Sequence, residues 1–213
     1  MTPSGPQRVR RDNGWRVERY PQTVAGVKDL EPDLRNRLVR AALELALHNG
    51  LDGVDIPSVA EQAAVPPQTV QQQFGTHDGM MLALLDFVLA RTLDADRDLR
   101  TGDTGRRQLG DMVAAEMEGL RRQAPVVELI FMFYFARRDD LYRARIREAL
   151  ANYRRSFENA LDGVELRRGV DAAVMSSIVI AFLQGAAVQI IRDPDNFQPA
   201  AAIAEMRAML GVG

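Results

Sequence analysis

Residues 54–78 read VDIPSVAEQAAVPPQTVQQQFGTHD, and they spell two short helices broken by a turn. Asp55 offers a carboxylate to the unpaired N–H groups of a helix start, and the stretch Ser58 to Ala63 continues as helix. Val65-Pro66-Pro67 stops it, because proline has no N–H and its ring clashes with the preceding turn. Pro67 can begin the next helix, where an N–H is not needed. Gln68 to Gln73 then form a second, polar helix, and Thr76 can cap a third. Small Ala60 and Ala64 permit close approach, while Val59, Val65, Val70 and Phe74 form a small core between the helices. Two short helices joined by a tight turn and packed on a preceding one make a helix-turn-helix.

Working outward, a helical period begins at Glu31 and Pro32, with Leu34, Leu38, Ala41, Ala42, Leu45 and Ala46 on one face and a stop at Gly50. After Thr76 a long helix carries Met81, Leu84, Leu85, Val88 and Leu93 on one side. Beyond Gly102 and Gly105 the spacing predicts helices over Leu109–Gln123, from Pro125 on, over Leu141–Leu161, Val170–Arg192 and Pro199–Leu210. The one opened by Pro125 is apolar nearly all round and should be buried on most sides. There is no strand alternation and no internal repeat. The predicted fold is all-α, with a basic arm (1–30), a helix-turn-helix domain (31–78) and a second helical domain (79–213).

The 213 residues suffice for one or two cored domains. Without cysteine there is no disulfide and no thiolate chemistry, and two histidines, His48 and His77, make a catalytic zinc improbable. No metal site, cofactor or catalytic group is expected. No Gly-rich phosphate loop, nucleophile elbow or His-Glu-x-x-His is present, so an enzyme is not expected. His48 reads as a cap or solvated residue, and Asp139-Asp140 beside Arg137-Arg138 as a polar turn. The apolar run Leu129 to Ala136 is too short to span a bilayer, and no secretory signal is visible, so a cytoplasmic protein without a membrane partner is expected. Lys28 is the only lysine and every other cation is arginine, which suggests a GC-rich coding sequence and a bacterial source. Residues 1–30 carry Arg8, Arg10, Arg11, Arg16 and Arg19 around Trp15 and read as a mobile arm.

Residues 34–85 resemble the DNA-binding domain of the TetR family of bacterial transcriptional regulators. That family usually reads Ile-Ala, two variable residues, Ala-Gly-Val-Ser, two variable residues, Thr-Leu-Tyr, two variable residues, Phe, and a lysine three further on. Val59-Ala60, Ala63, Val65, Thr69 and Phe74 fit in register. The tail from Leu183 to Phe197 resembles the C-terminal half of choline/betaine-type members. The family's turn glycine is Ala64 here, its capping serine Pro66, its phosphate-contacting tyrosine Gln71 and its phosphate-contacting lysine His77. The resemblance implies a homodimer, an operator of double-stranded, palindromic DNA, and a small-molecule effector that releases a repressor.

The charges qualify that expectation. From Ala41 to Ala90 there is no lysine or arginine, against Glu44, Asp52, Asp55, Glu61, Asp78 and Asp86. Since affinity for DNA comes largely from neutralising phosphates, a local charge of -6 is a handicap. Arg35, Arg37 and Arg40 on the preceding helix and the arm could offset it. Pro67, Gln68, Thr69, Gln71, Gln72 and Gln73 are placed to read bases, with His77 at the phosphate position. The other outcome is a helix-turn-helix protein that has lost specific DNA binding and works through protein or ligand contacts.

In the second domain Phe87, Met112, Met117, Phe131, Met132, Tyr134, Phe135, Tyr153, Phe157, Met175 and Phe182 could line a pocket for an apolar or amphipathic ligand. Tyr134, Tyr153 and Gln184 could supply polar contacts. Ala173, Ser177, Ala181 and Gly185 recur four apart, flanked by Ile178, Phe182 and Val188. With Ile203, Met206 and Leu210 on the last helix they form a candidate two-fold interface. The expected mechanism is allosteric: ligand shifts the helix that starts at Thr76, and the spacing of two recognition helices changes.

Overall fold

The computed structural model of the chain describes residues 32–93, 106–136, 140–162 and 170–210. The expected arm, with Trp15, lies outside them, as do Arg137, Arg138 and Asp139. Among the described residues the regular elements are all helical. They are α1 (Pro32–Asn49), a 3₁₀ turn (Leu51–Gly53), α2 (Ile56–Gln62), α3 (Pro67–Phe74), α4 (His77–Thr92), α5 (Arg106–Arg122), α6 (Ala124–Ala136), α7 (Asp140–Ala160), α8 (Ala172–Arg192) and α9 (Pro199–Met209).

Local chemistry sets the ends. α1 stops before Gly50, whose φ of 72° suits glycine. His48 sits in its last turn, with Nδ1 2.8 Å from the Glu44 carbonyl. Asp55 accepts from the Ser58 N–H at 2.7 Å and starts α2. Thr76 accepts from the Gly79 N–H at 3.0 Å and starts α4, and Asp171 does the same for α8 through the Val174 N–H at 2.8 Å.

Two apolar cores follow. The first joins Leu38, Ala42 and Val59 of the small helices and Val70 of α3 to α4, and continues into Leu129, Ile130 and Phe133 of α6 and Tyr142, Ile146 and Ala149 of α7. The second lies among α5, the end of α7, α8 and α9, around Leu109, Met117, Phe157, Val179 and Leu183. α4 is enclosed, since Met80, Leu82, Ala83 and Leu89 are buried beside the expected Met81, Leu84, Leu85 and Val88. Neighbours on several sides explain why a one-sided stripe underestimates it.

One expectation is qualified and one changes. α6 is buried or half-buried around most of its circumference, as its all-round apolar pattern predicts, but Phe135 in its last turn is 75% exposed. The helix lies against α1, α4, α5, α7 and α8. The bilayer estimate also missed α8, whose 21 residues are long and apolar enough to cross a membrane by length and composition. Ser176, Ser177, Gln184 and Gln189 interrupt its apolar run, so a search for unbroken stretches passes over it. Its buried side packs within the second core.

Candidate nucleic-acid interface and ligand domain

The turn between α2 and α3 is closed by main-chain bonds. The Ala64 N–H donates to the Glu61 carbonyl at 3.0 Å and the Val65 N–H to the Ala60 carbonyl at 2.9 Å. This pair of bonds is the Schellman closure of a helix end, and it demands a left-handed residue. Ala64 fills that position at φ 53°. The site of the family's glycine is therefore the site where glycine would relieve strain. Pro66 precedes α3 without a side-chain cap.

α3 buries Val70 and leaves Pro67, Gln68, Gln71 and Gln72 exposed, with Thr69 and Gln73 half-buried. One polar, uncharged helical face thus stands free, with amide groups able to donate and accept at base edges. The arginines of α1 are drawn inward around it. Arg35 Nη1 donates to the Gln73 carbonyl at 2.7 Å, and its guanidinium lies 4.6 Å from the centre of the Phe74 ring. Arg37 Nη2 donates to the Ala63 carbonyl at 3.3 Å. Both arginines thereby cap the C-terminal ends of helix-turn-helix elements, where cations are favoured. Arg40 is exposed.

His77 is half-buried, and its Nε2 lies 2.9 Å from the Val54 carbonyl, which requires Nε2 to donate. Its Nδ1 lies 3.7 Å from Asp78 Oδ1. Asp78 also accepts from the Tyr142 hydroxyl of α7. Asp55 is held below its ordinary value of 3.8 by the Ser58 N–H and hydroxyl that donate to it. Acidic Glu44 is engaged by Gln62, whose Nε2 donates to it at 2.7 Å.

The expected ligand residues divide. Met112, Met117, Tyr153 and Phe157 lie deep in the second core, with Met175 and Phe182 packed against it. Phe131, Tyr134 and Phe135 form a ladder on α6, the outer two rings stacked at 6.2 Å and Tyr134 edge-on to Phe131 at 6.0 Å. Phe87 carries the Arg91 guanidinium 5.5 Å from its ring centre, and Gln184 is half-buried. The Tyr153 hydroxyl donates to Glu116 Oε2 at 2.7 Å; Glu116 lies among the pocket candidates although nothing in its periodicity marks it. Burial pushes Tyr134 up to about 12 and holds Tyr153 well above the ordinary phenol value, with the Glu116 carboxylate adding to the second shift. Both phenols stay neutral and can donate.

On α8, Ala173, Ser177, Ile178, Ala181, Gly185 and Val188 all face outward, as does Val174. Ile203 is half-buried, whereas Met206 and Leu210 pack into the subunit's own second core. The residue of α9 that stands out is Met209, 71% exposed.

No protein-family model and no curated protein sequence matches the chain. Solved structures do. A transcriptional regulator from Rhodococcus sp. RHA1 aligns with a TM-score of 0.66 at 21% identity, over 83% of this chain and 94% of that one. FadR from Bacillus subtilis, solved with stearoyl-CoA, gives 0.67 at 15% over 82% and 96%. A regulator of the TetR/AcrR family from Aquifex aeolicus gives 0.61 at 16% over 84% and 98%. Across nearly the whole of those chains, an all-helical protein with an N-terminal helix-turn-helix has the fold of TetR-family transcriptional regulators.

Proposed function

We propose that the protein is a homodimeric, ligand-responsive transcriptional regulator, a repressor released from a palindromic operator by an apolar or amphipathic small molecule. The observation that carries this is the free glutamine face of α3, held at a fixed pose by α2, by the α1 arginines and by α4, which shares one core with α6 and α7. A ligand that moves α6 or α7 would act on α4, and α4 begins three residues after the recognition helix ends. The outward apolar strip on α8 supports pairing of two copies, which would set two recognition helices for successive major grooves. The buried, neutral phenol of Tyr134 beside the aromatic and apolar residues of α6 supports an amphipathic effector, and FadR's capture of stearoyl-CoA in the same fold points the same way. The choline/betaine-like tail, residues 183–197, falls on α8 and the turn after it and belongs to this reading.

A second reading is favoured by one feature. Residues 41–90 hold six acids and no lysine or arginine, and two of the three nearby arginines are engaged on main-chain carbonyls. On this reading specific DNA binding is lost and the chain acts through protein or ligand contacts. Selection of sheared genomic DNA of the source organism on the full-length protein, at low and physiological salt, separates the two. An enriched palindrome supports the regulator; no enrichment at either salt from a folded dimer supports the second reading.

A further inference from the structure

The outer side of α3 is built from three glutamines and a proline edge. Gln68, Gln71 and Gln72 stand at i, i+3 and i+4, so they share one helical face, and all three are exposed while Val70 is buried behind them. They span about 6 Å of helix axis, against about 3.4 Å per base pair, so together they reach two or three adjacent pairs. The face has sharp limits. Before it, Pro66 and Pro67 are exposed and apolar; after it comes exposed Gly75, which has no side chain. α3 itself carries no charged residue.

The base edges of the major groove differ in what they ask of such a face. Guanine presents two acceptors, N7 and O6, which suit the all-donor head of arginine or lysine. Adenine presents the N7 acceptor beside the N6 amino donor, which suits an amide carrying one NH₂ and one carbonyl. A glutamine set against guanine leaves its carbonyl oxygen facing an acceptor, and a polar group left unbonded in an interface is costly. Thymine adds a methyl group, for which apolar surface is the match, and the Pro66 and Pro67 rings supply it. The charges nearby raise the weight of these contacts. Residues 41–90 hold six acids and no lysine or arginine, so neutralised phosphates contribute less here and base contacts must carry more of the affinity.

We infer that each operator half-site presents adjacent A·T pairs to α3, with adenine edges on Gln68, Gln71 and Gln72 and thymine methyls against Pro66 and Pro67. The inference deepens the proposed regulator and rests on that reading. It makes the three exposed glutamines the specificity-determining residues of the chain.

Selection of randomised duplexes on the full-length protein, followed by sequencing, tests it, with Gln68→Ala, Gln71→Ala and Gln72→Ala selected in parallel. The wild type should enrich half-sites with two or more adjacent A·T pairs. Each variant should bind the wild-type site about tenfold more weakly and lose the preference at one of those pairs. The wild type alone gives a second readout that does not depend on the variants folding. Replacing a selected adenine by 7-deazaadenine, which lacks the N7 acceptor, should weaken binding about fivefold, the loss of one hydrogen bond. Enriched G·C pairs at the positions that the variants relax, or A·T pairs whose selection is untouched by the variants and by 7-deazaadenine, overturn the inference and leave the regulator standing. No enriched sequence from the folded wild type overturns both.

Discussion

The Tyr142 hydroxyl donates to Asp78 Oδ1 at 3.2 Å, joining residues 64 apart in sequence. Tyr142 is buried on α7 and leans on Phe133 of α6, with ring centres 5.8 Å apart. Asp78 lies in the first turn of α4, four residues after the end of α3. α7 therefore touches the start of α4 close to the point where the recognition helix ends. Tyr142→Phe keeps the packing and removes the bond. It should cost about 1 kcal/mol in urea unfolding, and a cost near zero would show that the bond carries no weight.

Ala64→Gly should stabilise the protein. The left-handed turn at φ 53° strains alanine and suits glycine. The gain should be about 1 kcal/mol after glycine's greater freedom in the unfolded chain is counted, seen as a rise of roughly 2–4 °C in melting temperature for a chain of this size. A fall would mean that the turn is held by something other than the Schellman bonds.

Gly79→Ala should do the opposite. A Cβ there would stand 2.2 Å from the Phe74 carbonyl oxygen, which is main chain and cannot swing aside. α3 or α4 would have to shift, at a cost of about 2 kcal/mol. Chemical denaturation reads the loss, and an unchanged midpoint would refute the close approach.

The cap on α2 predicts a pH dependence. Because Asp55 titrates below its ordinary 3.8 in the folded chain, the unfolded chain binds the proton more readily. Its charge therefore stabilises the fold above that ordinary value, and the benefit is lost as pH falls through the lower folded value. Asp55→Asn keeps a side-chain acceptor without the charge. The stability difference between wild type and variant should be present at pH 5 to 7 and shrink toward pH 2; a difference that does not change with pH would exclude a charge contribution from the cap.

If the arm carries phosphate contacts, removing residues 1–30, with five arginines and one lysine, should weaken binding to a selected duplex and flatten its salt dependence. The logarithmic slope of affinity against salt, measured with and without the arm, reads the change. An identical slope assigns the phosphate contacts to α1 and its neighbours instead.

Where the chemistry is local, the sequence by itself determined the outcome. Asp55 and Thr76 cap α2 and α4, Gly50 and Gly75 take positive φ, and Pro67 and Pro199 open helices, because each acts on backbone groups within four residues of itself. With the helical period of the apolar residues, that placed the described helices to within a few residues and marked the helix-turn-helix. The polar face of α3 was legible for the same reason, since Val70 is its one buried residue.

Only the tertiary structure decided which partners the long side chains take. Arg35 and Arg37, expected at phosphates, also reach the carboxyl ends of α3 and α2, since packing α1 across both helices brings their carbonyls within reach. Asp86 and Arg145, 59 residues apart, carry no mark in their own neighbourhoods; they become a pair when α4 and α7 bury both. Met206 turned inward and Phe135 outward by the same logic. Periodicity says that a helix has an apolar side, but the angle at which neighbours cross it decides how much of that side is covered.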